Sequence, residues 1–129
     1  MKIETHKEAL AEYLANIEQA KHSIENSKRV LLIICSQAAT EIVSIILHKL
    51  NILDESAIVK HNKLDNKNWW SELPDFKEKS KISDLAGELE RNRALAYGTL
   101  KNIKSEDILD NISSLFKLKE FMEAINEKL

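Results

Sequence analysis

The stretch VLLIICSQAATEIVSIILHKL, residues 30–50, decides the fold. It is apolar on nearly every side over residues 30–35, and its β-branched side chains suit a buried strand as well as a helix. The pattern does not stop there. Ala38, Ala39, Ile42, Val43, Ile45, Ile46 and Leu47 continue it at helical spacing, over a length no ordinary strand reaches. The spacing therefore predicts a helix to about Leu50, with Ser27 placed to cap its start. A helix this apolar must be covered by neighbours on most faces. Ser36, Gln37, Thr40, Glu41 and Ser44 interrupt the run, and a membrane span rarely carries a glutamate at its centre. The opening residues MKIETHKEAL lack a signal-type apolar core. The expectation is the core helix of a cytoplasmic protein that does not enter a membrane.

On the N-terminal side, Leu10, Tyr13, Leu14, Ile17, Ala20 and Ile24 form one helical stripe. Thr5 and Glu8 have capping-box spacing, so this helix is expected to start at Thr5 and end near Asn26. On the C-terminal side, residues 51–80 read as irregular, with Asp54 or Ser56 capping a short helix through Lys63 and Pro74 breaking the chain. A further helix is expected from Ser83, with Ile82, Leu85, Leu89, Asn92 and Ala96 on one face. Gly98 would end it in the left-handed conformation. The last helix follows Ser105, with Glu106 and Asp107 in its first turn and a stripe of Ile108, Ile112, Leu115, Leu118, Met122, Ile125 and Leu129.

The sum is an all-α fold: an antiparallel bundle of four main helices plus one or two short helical turns, in one domain over residues 1–129. Composition agrees. Two glycines and one proline in 129 residues cannot supply the turns of an all-β fold, which needs one roughly every 8–12 residues. The net charge of −2 differs from the clearly basic balance of a dedicated nucleic-acid domain. Residues 60–104 are nevertheless mildly basic, with ten Lys/Arg against seven Asp/Glu. The single cysteine, Cys35, excludes an intrachain disulfide and reads as a small buried apolar side chain rather than a reactive thiol.

Most catalytic motifs are missing. No glycine-rich phosphate loop, nucleophile elbow or Cys–His pairing is visible. Glu18 and His22 stand one helical turn apart, but the paired Glu-x-x-His motifs of a bundle metal centre do not occur, so neither metal nor cofactor is expected. His22 and His48 read as surface residues at helix edges. Trp69 and Trp70 lie in a polar segment; they either cap the core or offer a binding surface, since tryptophan marks hot spots and stacks on bases. The most informative segment is ELERNRALAYGTL, residues 88–100. Arg91 and Arg93 flank Asn92 near a helix end, Arg93 and Tyr97 are helical neighbours, and Asn92 interrupts the apolar stripe. The plain alternative is a surface arginine pair and one satisfied core amide.

This segment resembles the HEPN superfamily, small helical-bundle proteins of toxin–antitoxin and defence systems, many of them ribonucleases. The family motif is an arginine, usually followed by a polar residue, then a histidine after four to six further residues. Arg91-Asn92 matches its start. Tyr97 stands where the histidine would be, and Gly98 follows. EYLANIEQAKHSIENS, CSQAATEIVSIILHKLNI and the final amphipathic helix are similar to the family's helices. The resemblance implies a homodimer that binds RNA or nucleotide at its interface through Arg91, Asn92, Arg93 and Tyr97. Tyr97 is a poor base, its ordinary pKa being near 10, so weakened or absent ribonuclease activity is implied. Arg91 and Tyr97 are then the catalytic candidates, and Asn92, Arg93, Trp69 and Trp70 the binding candidates. The other reading is a non-catalytic interaction module paired with a nucleotidyltransferase or another protein. An open basic cleft lined by the arginines favours the first; arginines neutralised by carboxylates favour the second.

Overall fold

A computed structural model of the chain describes residues 2–54 and 57–125. The described residues form five α-helices: α1 (Ile3–Ala20), α2 (Lys28–Lys49), α3 (Lys67–Glu72), α4 (Lys79–Arg93) and α5 (Ser105–Ala124). Three 3₁₀ turns, Lys21–Asn26, His61–Lys63 and Ala94–Tyr97, complete it, and no strand occurs among the described residues. The all-α architecture follows the apolar periodicity, and α2 is the element against which α1, α4 and α5 pack.

Contacts at the helix ends fix the directions. His6 near the start of α1 meets Glu41 late in α2, and Ser36 early in α2 meets Glu90 late in α4, so both neighbours run antiparallel to α2. Lys28 reaches the Ile103 carbonyl just before α5, while Lys49 reaches the Met122 carbonyl near its end, so α5 runs parallel to α2. The order is up-down-up-down. Leu31, Ile42, Ile45 and Ile46 of α2 are fully buried with Ile17, Ile82, Leu89, Leu115 and Leu118 from the other helices. Each such side chain contributes about 1.5–3 kcal/mol by leaving water. By length and composition α2 is apolar enough to cross a membrane, and 67% of its most apolar window is buried inside this fold.

Several boundaries differ from expectation. The Thr5–Glu8 capping box does not form: α1 begins at Ile3, and the Thr5 and His6 amides bond the Lys2 carbonyl. Ser27 precedes α2 but caps with its carbonyl, which accepts from Leu31, not with its hydroxyl. Past α2, Asn51 takes the left-handed conformation (φ 57°), and the Ile52 amide returns to the Leu47 carbonyl, the usual way a helix end satisfies its carbonyls. No helix spans residues 57–60; Ser56 and Leu129 lie outside the described residues. α4 starts four residues before Ser83, after a left-handed Glu78 (φ 68°). Gly98 is extended (φ −108°), so it does not end that helix by left-handed geometry. The helix tightens into the 3₁₀ turn Ala94–Tyr97, and Arg29 takes the last carbonyls: its Nε donates to Ala96 at 2.6 Å and its Nη2 to Gly98 at 3.3 Å.

Candidate nucleic-acid interface at the end of α4

The segment before α3 comes close to the α4 backbone at Gly87. Gly87 is buried in α4; a Cβ there would stand 3.3 Å from the Leu64 carbonyl and 3.0 Å from Nη1 of Arg91. The same Leu64 carbonyl accepts the indole N–H of Trp70 at 2.9 Å. Trp70 is buried, and Trp69 meets it edge-on at 5.0 Å while keeping part of its surface exposed. Asn66 caps α3, its side-chain oxygen accepting from the Trp69 amide at 3.0 Å. The tryptophans thus pack the loop onto the bundle and hold His61 and Asp65 against α4.

The loop brings acidic and basic groups to the α4 end. Arg91 Nη1 lies 2.6 Å from Asp65 Oδ1, in an ion pair open to solvent on both sides. Glu90 is mostly buried; Ser36 donates to its Oε1 at 3.1 Å, and its Oε2 lies 2.6 Å from Nδ1 of His61. Arg93 Nη1 also approaches that Nδ1, at 2.8 Å, and lies 4.0 Å from Glu90 Oε1. One ring nitrogen cannot both donate and accept. A carboxylate only accepts, so Nδ1–H donates to Glu90, and Arg93 is held by the charge of that same carboxylate. The lone pair of His61 is then on Nε2, on a side chain half exposed to solvent. Arg93 also sits over the Tyr97 ring, 5.9 Å from its centre, and Tyr97 is 69% exposed. A depression of about 470 Å³ adjoins these groups, lined by Asn62, Asp65, Asn66, Lys67, Asn68 and Glu90. Its wall is polar rather than basic.

The sequence-expected residues do not all meet. Arg93 and Tyr97 are in contact, whereas Arg91, two residues before Arg93 on the helix, pairs separately with Asp65. Asn92 turns the other way: its Nδ2 donates to Asn111 of α5 at 2.9 Å, and it lines a separate groove of about 560 Å³ with Leu32, Leu95 and Ile108. Trp70 is occupied with Leu64. His61 and Glu90 were not singled out from sequence. The Glu90–Arg93 spacing was visible, but nothing local ties His61 to a helix some thirty residues later.

Elsewhere, burial pushes the Cys35 thiol up to about 12, so it stays protonated. No group of three or more potential metal ligands occurs among the described residues. His48, expected at the surface, is partly buried with His6 at 5.3 Å between ring centres. Against known protein families, curated proteins and solved structures, the chain has no match.

Proposed function

We propose that this chain is a HEPN-like RNA- or nucleotide-binding domain that acts as a homodimer through the end of α4. The observation that carries the reading is the convergence of Arg93, Tyr97 and His61 at the end of α4, next to a depression lined by Glu90 and by Asp65, the partner of Arg91. The Arg91–Asp65 pair is open to solvent, where such pairs contribute about 0–1 kcal/mol, so a phosphate oxygen can displace the carboxylate at little cost. Tyr97 offers an exposed ring for a base, and Asn62, Asn66 and Asn68 offer amides for base edges or sugar hydroxyls. The test is binding of labelled single-stranded RNA across a salt series. Arg91→Ala should weaken binding about tenfold or more and flatten the salt dependence, while the fold is kept. Unchanged binding by a well-folded Arg91→Ala variant would count against the reading.

One observation favours the second reading, a non-catalytic module for a protein partner such as a nucleotidyltransferase. Both arginines already face carboxylates of the same chain, Asp65 and Glu90. On that reading the native protein binds no RNA at physiological salt, and Leu95 and Tyr97, both substantially exposed, belong to a protein contact.

A further inference from the structure

Two imidazoles meet where the start of α1 lies against the end of α2, at the opposite end of α2 from the Arg29 contacts. His6 is 2% exposed and His48 is partly buried, and the Nε2 atom of each is enclosed without a hydrogen-bond partner in the chain. The ring centres lie 5.3 Å apart. We infer that His6 and His48 hold one divalent transition-metal ion of the zinc type through these two nitrogens. The site is separate from the α4 end and independent of any RNA bound there.

Three features fit a metal site. First, the tautomer of His6 is fixed. Its Nδ1 lies 2.5 Å from Glu41 Oε2, and a carboxylate only accepts, so Nδ1–H donates and the lone pair is on Nε2. A histidine whose other nitrogen donates to a carboxylate is the usual form of a metal-binding imidazole. Second, that lone pair has no donor. Buried polar atoms are nearly always hydrogen-bonded, and two orphaned nitrogens on neighbouring rings mark a place for a bound species. The rings do not satisfy each other, since neither Nε2 has a partner. Third, the spacing suits one ion. Two imidazoles that share a tetrahedral ion through Nε2, at about 2.0–2.1 Å each, have ring centres about 5 Å apart, against 5.3 Å here. Glu41 and His48 are seven residues apart on α2, two turns of helix, so His6 of α1 meets both.

The donor set selects the ion. Imidazole nitrogen suits zinc, copper, nickel and cobalt, whereas magnesium and calcium take oxygen ligands. Glu41 orients the His6 ring and places a negative charge behind it, which raises the basicity of the ligand. No third histidine, cysteine or carboxylate completes a ligand set among the described residues. Water therefore fills the remaining positions, and the site is an exchangeable one rather than a closed structural centre. His48, only partly buried, is where the ion enters. Once bound, the ion ties the start of α1 to the end of α2.

The experiment uses the full chain without an affinity tag, stripped with a chelator and then given Zn²⁺, with Mg²⁺ as the control. About 100 µM Zn²⁺ should raise the thermal midpoint by about 3–5 °C, and Mg²⁺ should leave it unchanged. In the imidazole NMR spectrum, His6 and His48 should shift together, saturating at one ion per chain, before the exposed His22 and His61 respond. His48→Ala should weaken Zn²⁺ binding about tenfold or more. The NMR titration is run on the native protein, so it decides the matter even where His48→Ala fails to fold. A thermal midpoint that Zn²⁺ does not raise, shifts confined to His22 or His61, or native affinity in a folded His48→Ala variant overturns the inference.

Discussion

Two histidine–glutamate pairs bind helices together in this molecule, and they differ in almost everything but the bond. His6 meets Glu41 at 2.5 Å between α1 and α2, with the histidine side chain 3% and the glutamate 17% exposed. His61 meets Glu90 at 2.6 Å between the loop and α4, with the histidine 50% exposed. Around the first lie another imidazole, His48, and the apolar packing of two long helices. Around the second lie Arg93, the exposed Tyr97 that Arg93 covers, and a polar depression. The bond itself therefore does not mark a functional site. Solvent reaches one pair, which has a cation beside it, while burial encloses the other between α1 and α2.

The largest expected effect separates the pairs by stability. His6→Ala leaves Glu41 without its partner in a mostly buried place, and should cost about 3 kcal/mol in urea unfolding. His61→Ala should cost about 1 kcal/mol or less: its own side chain is half in water, and the mostly buried Glu90 keeps Ser36 and Arg93 as partners. Equal losses at the two sites would erase the distinction. A smaller effect is expected at Arg29, whose guanidinium holds the carbonyls that follow α4. Arg29→Ala should cost about 1 kcal/mol and increase amide exchange over residues 94–98, where Tyr97 is carried.

The pH dependence sharpens the same comparison. Burial, and then the charge of His6 beside it, lower the pKa of His48 below the ordinary histidine value. At His48 the folded state thus binds fewer protons than the unfolded chain just below pH 6.5, so this group's contribution makes stability rise with pH there. The contribution is fully present above about pH 6.5 and is lost as the pH falls toward the depressed value. Thermal unfolding measured from pH 5 to 7.5 should show this slope, and His48→Gln should flatten it. The smallest effect is at Arg91. Its exposed pair with Asp65 should contribute about 0.5 kcal/mol or less, so Arg91→Ala should unfold at nearly the native urea concentration.

The long helices were legible because burial writes a period into them. The stripe Ile108, Ile112, Leu115, Leu118 and Met122 in α5 is buried as its spacing requires, and α2 is covered on most faces as its composition demands. Helix ends were less legible. The start of α4 depends on a left-handed Glu78, a conformation no local preference announces in glutamate. Its end depends on Arg29, distant in sequence, rather than on the conformation of Gly98. The α4 end was half legible for the same reason. Arg93 and Tyr97 are four apart on one turn, so their contact follows from helical geometry. Asn92 faces α5 and His61 faces α4 only because the bundle and its loop fold that way. The two histidines of the buried cluster were equally hidden, since His6 and His48 meet only once α1 lies along α2.

The most direct test of the account follows the imidazole signals of the four histidines by NMR while single-stranded RNA is added at low salt. His61 should shift progressively and saturate with the RNA. His6 and His48 should not move, and exposed His22 reports any non-specific surface effect. A stationary His61, or shifts confined to other histidines, would contradict the assignment of the α4 end as the RNA site.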